Sequence, residues 1–111
     1  MSTRALVTLP PRIRAGEPFE VRTLIAHPME SGHRADGAGG TVPRRIIRRF
    51  TCRLDGRLVF SAELHPAIAA NPYLAFDLVA QAGGRLDFTW EGDEGFAHAQ
   101  SVDIRVENRL E

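Results

Sequence analysis

The apolar residues of this chain fall in short runs, rich in β-branched and aromatic types, that alternate with polar residues and stop at turn signals. No other feature constrains the fold as much. A period of two puts alternate side chains on opposite faces of a strand, and such a chain buries its apolar surface by pairing strands into sheets. Seven strands are expected, over residues 4–9, 17–27, 44–54, 57–64, 73–80, 85–91 and 97–106. In the second, Phe19, Val21, Thr23 and Ile25 share one face while Glu20, Arg22, Leu24 and Ala26 share the other. In the third, Phe50, Cys52 and Leu54 alternate with Arg49, Thr51 and Arg53. Asp55-Gly56 is a two-residue hairpin signal, and the return strand is expected to turn Leu58, Phe60 and Ala62 to one side. Leu86, Phe88 and Trp90, and later Val102, Ile104 and Val106, repeat the alternation. A short helical turn is expected at 67–70 and a solvated acidic turn over 91–95. The expected fold class is all-β: an immunoglobulin-like antiparallel β-sandwich of about seven strands, forming one domain over residues 1–111. The Cys…Trp…Cys spacing of an antibody-type core is missing.

Charge narrows the partners. The formal net charge is zero, which gives the chain no general attraction to nucleic acid or to a membrane surface. Arg44-Arg45 and Arg48-Arg49 flank Ile46-Ile47, but the aromatic interleaving of a nucleic-acid surface is missing. Residues 1–57 hold 11 Arg against 5 acidic residues, and residues 58–111 hold 3 against 9. Such halves are expected to neutralise one another across the sheets. No run approaches the ~20 apolar residues of a membrane span. Residues 1–11 lack the apolar segment and cleavage site of an export signal, so the residues alone point to a soluble, cytoplasmic chain.

Little in the chain suggests catalysis. Cys52 is the single cysteine, which excludes an intrachain disulfide and a cysteine-based zinc site. Its phase with Phe50 and Leu54 predicts a buried, inert thiol with a raised pKa. Ser61 and Ser101 sit in no Gly-x-Ser-x-Gly turn. Glu91, Asp93 and Glu94 lack the spacing of a calcium loop. His27, His33, His65, His98 and Cys52 match in number the donors of a mononuclear iron centre of superoxide-reductase type. Their spacing does not match, because Asp55 stands where that family places a histidine three residues after its cysteine. No catalytic residue, metal or cofactor is therefore expected, with the iron redox protein as the alternative.

Residues 28–43 form a long irregular stretch with Gly32, Gly37, Gly39 and Gly40, and loops of that length in a small domain usually have a function. The stretch and its flanks read Thr23-Leu24-Ile25-Ala26-His27-Pro28-Met29-Glu30-Ser31-Gly32-His33-Arg34, then Val42-Pro43-Arg44-Arg45-Ile46-Ile47. Further on come Asp55-Gly56, His65-Pro66, Asn71-Pro72-Tyr73 and Phe88-Thr89-Trp90. This series resembles the Z subunits of SoxYZ, the carrier complex of thiosulfate and sulfur oxidation. The resemblance covers about residues 13–106, and His-Pro-Met-Glu followed by Pro-Arg-x-Ile-Ile is its specific part. It implies an immunoglobulin-like, non-catalytic subunit in a heterodimer with a Y subunit. The Y subunit's cysteine, in a Gly-Gly-Cys-Gly-Gly tail, carries sulfur intermediates between the other Sox enzymes, which dock transiently. It also implies export to the periplasm together with a Y subunit that bears the signal. This chain ends without such a tail, so Cys52 is not expected to carry sulfur. Two partner-binding segments are expected. One is the loop with His27, Pro28, Met29, Glu30, Arg44 and Arg45; the other is Asn71, Pro72 and Tyr73. An isolated subunit is open to self-association through the same surface.

Overall fold

Seven strands build two antiparallel sheets in the computed structural model, which describes residues 4–108. Strands β1 (Ala5–Thr8), β2 (Phe19–Ile25) and β5 (Tyr73–Leu78) form one sheet in the order β1-β2-β5. Strands β3 (Ile47–Leu54), β4 (Arg57–Glu63), β6 (Gly84–Gly92) and β7 (Ala97–Ile104) form the other in the order β4-β3-β6-β7. The β-sandwich expected from the alternation is the observed fold. Within the described residues, no helix is long and apolar enough to cross a membrane.

The inner faces carry the predicted phases. Phe19, Val21, Thr23 and Ile25 of β2 are buried, and so are Phe50 and Cys52 of β3 and Leu86, Phe88 and Trp90 of β6. Phe50 is the hub, with ring centroids 5.2 Å from Trp90, 5.7 Å from Phe76, 6.1 Å from Phe60 and 6.2 Å from Phe88. Phe60 stacks on Phe76 at 4.0 Å and so ties β4 of one sheet to β5 of the other. Each large apolar side chain so buried contributes about 1.5–3 kcal/mol through removal from water.

The Asp55-Gly56 hairpin forms as predicted. Both residues have positive φ, 49° and 85°, as a two-residue turn matched to strand twist requires. The return strand departs from expectation. Cys52 pairs with Phe60 but Arg53 pairs with Leu58, so Val59 is skipped in the register. This bulge turns Leu58 outward, where it is 49% exposed, instead of keeping it in phase with Phe60. The 67–70 segment holds no helix and contributes a single turn bond, from the Ile68 N–H to the His65 carbonyl. Strand β3 begins at Ile47 because Arg45 exchanges main-chain bonds with Glu30 (2.7 and 2.8 Å). Residues 44–46 therefore hold the long loop in place before the chain enters the sheet.

The opposite charges of the two halves meet as expected. Arg44 and Arg48 pair with Asp93, Arg45 with Glu94, Arg49 with Glu63 and Arg12 with Glu107. The turn after β6, Asp93–Gly95, is consequently a pinned one. Asp93 keeps only 12% of its side chain exposed, whereas Glu91 and Glu94 are exposed, so the acidic turn is solvated as expected except at Asp93. Gly92 permits this docking, since a Cβ there would collide with the Ile46 carbonyl.

Candidate functional site

The site is assembled from the chain beyond β2, the long loop and the turn before β5. Past Ile25, where β2 ends, the main chain of His27 meets Asn71. The His27 N–H donates to Asn71 Oδ1 at 2.9 Å, and the Asn71 N–H donates back to the His27 carbonyl at 2.6 Å. Asn71 adopts a positive φ of 53°, a conformation asparagine takes more readily than most residues, and its side chain is held by the bond from His27. The two segments expected to bind partners, 27–45 and 71–73, thus form one continuous region.

Beneath this region lies a buried polar relay. His27 is buried, and its ring makes an edge contact with Phe96 at 4.9 Å. The Met29 N–H donates to His27 Nδ1 at 2.9 Å. Burial lowers the His27 pKa and the Arg45 cation lowers it further, against a smaller opposing pull from Asp93. Met29 takes φ 51° and is itself buried; its Sδ accepts the Ile47 N–H at 3.2 Å. A thioether therefore caps the first amide of β3.

The rim of the region is charged. Arg34 forks onto Glu30 (2.6 and 3.1 Å), and this bonding holds the Glu30 carboxyl below its ordinary value despite some desolvation. Arg44 makes a two-point contact with Asp93, both bonds 2.9 Å, and the Ile46 N–H adds a third at 3.1 Å. Partial desolvation pushes the Asp93 carboxyl up, but the Ile46 amide, Arg44 and Arg48 outweigh it and the net shift is downward. Arg45 bonds Glu94 at 2.6 Å. Of the expected partner-binding residues, Pro28, Arg44, Arg45, Asn71 and Tyr73 are exposed and Glu30 is half-buried. His27, Met29 and Pro72 lie underneath and shape the surface from inside.

One feature escaped the sequence reading. On the outer face of β1-β2-β5, Leu6 pairs with Leu24 and Leu24 pairs with Tyr73. The three form an exposed apolar row, 61%, 40% and 56% accessible, next to Ala26 and Asn71. The available signal was Leu24, an apolar residue in the otherwise polar phase of β2. The outer face of the other sheet differs. Its rows run Glu63–Arg49–Glu91, Ser61–Thr51–Thr89–Ala99 and Leu58–Arg53–Asp87–Ser101, polar or small except for Leu58 at the β4 end.

The candidates for chemistry remain apart. Cys52 is fully buried in β3, and burial, aided by the Asp87 charge, pushes its thiol up to about 12. His33 and His65 are exposed, while the His98 ring lies 5.6 Å from Trp90. Among the described residues no three His, Cys, Asp or Glu side chains converge to hold a metal ion. The donor set of an iron centre is therefore not assembled.

The family model for sulphur oxidation protein SoxZ matches residues 7–103, nearly the whole chain. No curated protein matches it significantly. Among solved structures, a superoxide reductase (neelaredoxin) from Ignicoccus hospitalis is similar at 20% identity and TM-score 0.73, with 95% of this chain and 82% of that one covered. A Thermotoga maritima protein provisionally assigned as a superoxide reductase follows at 14% identity and TM-score 0.67, with 93% and 85% covered. At such identities these structures share the sandwich fold with this chain and show no more than that.

Proposed function

The chain belongs to the SoxZ family of sulphur oxidation proteins, and on that premise we propose that it is the non-catalytic subunit of a sulfur-carrier complex. Its stable partner is the Y subunit, whose cysteine arm bears the sulfur intermediates while this domain supplies a rigid base. The complex works in the periplasm, carried there by the Y subunit's signal. A buried thiol pushed up to about 12 supports a scaffold role over a carrier role, because only a thiolate attacks or binds sulfur.

The observation that carries the docking assignment is the Leu6–Leu24–Tyr73 row. A stable heterodimer needs about 800 Å² from each partner, centred on desolvated aromatic or aliphatic anchors within a polar rim. The outer face of β1-β2-β5 has that anatomy: an apolar row flanked by Asn71 at one end and by Arg22, Glu20 and Asp77 toward the other. The Y subunit docks there, and the charged rim with Glu30, Arg44 and Arg45 remains available to enzymes that bind transiently. Titration calorimetry with a co-purified Y subunit tests this. Tyr73→Ala and Leu24→Arg each weaken binding at least about tenfold, a loss of ~1.4 kcal/mol or more. Wild-type affinity in both variants removes this face from the interface; no binding by the wild-type chain refutes the carrier assignment itself.

A further inference from the structure

We infer that His27 is a pH-sensitive latch: its neutral imidazole holds Met29 in place, and protonation releases the loop that Met29 anchors to β3. The geometry assigns the ring's state. A main-chain N–H has only a proton to offer, so Nδ1, which receives the Met29 N–H at 2.9 Å, is unprotonated. Neutral His27 accordingly carries its proton on Nε2. An imidazolium bears N–H at both nitrogens, so protonation at Nδ1 sets a donor against the Met29 donor.

The surroundings compensate the new charge only in part. Arg45, from the segment leading into β3, opposes it, and its own cation is paired with Glu94. Asp93, from the turn after β6, favours the charge, but its carboxylate is committed to Arg44, Arg48 and the Ile46 amide. Phe96 offers a ring contact, and Asn71 bonds the main chain of His27 and leaves the imidazole untouched.

The consequence passes through Met29. Its φ of 51° is one that residues other than glycine seldom adopt, and it persists only while the surroundings fix it. The amide bond to His27 fixes one side, and the thioether bond to the Ile47 N–H fixes the other. Losing the first loosens the second, and the chain from Pro28 to Arg45 then hangs on the two Glu30–Arg45 main-chain bonds and on the Arg44–Asp93 and Arg45–Glu94 ion pairs at its far end. The sign follows from linkage. A histidine whose folded pKa lies below its ordinary 6.5 favours the closed state fully above about 6.5. As pH falls below that, opening grows, by at most about tenfold per pH unit, until the folded-state pKa is passed and the effect levels off. Because Glu30 and Arg45 sit on this loop, acidification also weakens enzyme docking, a consequence that rests on the proposed function.

The latch itself is tested on the chain alone, by NMR between pH 7.5 and 4.5. Side-chain nitrogen shifts report the His27 tautomer, and amide exchange, normalised for intrinsic rates, reports protection at Met29 and Ile47. The expected result is the Nε2–H tautomer at neutral pH, with protection at both amides falling in step with His27. His33→Gln leaves that dependence intact, and His27→Phe abolishes it with low protection throughout. Should His27→Phe not fold, the wild-type titration still decides. An Nδ1–H tautomer, protection that stays flat through the His27 titration, or protection that follows His33 overturns the latch. A working latch in a chain that binds no Y subunit leaves the inference standing and removes only its functional consequence.

Discussion

Met29→Leu separates two roles of one side chain. Met29 fills buried space between the loop and β3, and its Sδ also accepts the Ile47 N–H at 3.2 Å. Leucine matches the volume, and such swaps in a core ordinarily cost less than about 1.5 kcal/mol. It offers no acceptor, however, and Ile47 is fully buried, so its amide cannot turn to water. An orphaned buried amide costs about 1–3 kcal/mol. Sulfur is a weak acceptor, which places the expected loss toward the lower half of that range. The positive φ of Met29 is equally awkward for either residue and cancels. The reasoning therefore predicts ~1–2 kcal/mol of lost stability, or roughly 4–8 °C in Tm for a domain of this size. Urea unfolding monitored by Trp90 fluorescence measures it, since Trp90 lies in the core beside Phe50. Met29→Gln restores an acceptor and is expected to recover part of the loss if its amide oxygen reaches Ile47. A Met29→Leu variant within ~0.3 kcal/mol of wild type would show that the thioether contact contributes packing alone.

Other outcomes follow from the same structure. Cys52, with its thiol pushed up to about 12, is expected to resist iodoacetamide at pH 8 in the folded chain and to react promptly in urea; labelling at the rate of a free thiol in native buffer would contradict its burial. The Asp93 carboxyl, held below its ordinary value, stabilises the fold above the unfolded-state value near 3.8 and loses that contribution as pH falls through its lower folded value. The stability gap between wild type and Asp93→Asn should therefore narrow on acidification from pH 5 to pH 3, and urea midpoints that keep a constant gap would refute the pinned turn. Phe50→Ala is expected to cost about 3–5 kcal/mol, as judged from urea unfolding, because four aromatic neighbours surround the cavity it leaves.

What the sequence disclosed and what it hid have distinct physical causes. Alternation reports which face of a strand is buried, and so Val21, Phe50, Phe88 and Trp90 could be placed inside before any coordinates. Asp55-Gly56 was legible because two successive positive φ angles are a demand few residues meet. Leu58 was misplaced because a bulge shifts phase without a signature of its own. The pairing of Arg44, Arg45 and Arg48 with Asp93 and Glu94 joins residues more than forty positions apart, and only the broad asymmetry of charge hinted at it. The candidate site was half visible. Its loop and Asn71-Pro72-Tyr73 stood out by composition, whereas their union through His27 and Asn71 depends on a turn no local pattern encodes. Leu24 was in plain view, but its meaning required Leu6 and Tyr73 on either side.

The central claim is that this chain is a scaffold whose partner does the chemistry. Native mass spectrometry of the chain co-expressed with its Y subunit, before and after turnover of thiosulfate by the remaining Sox enzymes, addresses it most directly. The account predicts a one-to-one complex in which all added sulfur mass resides on the Y subunit and Cys52 stays unmodified. A chain that remains alone, or sulfur adducts on Cys52, would contradict it.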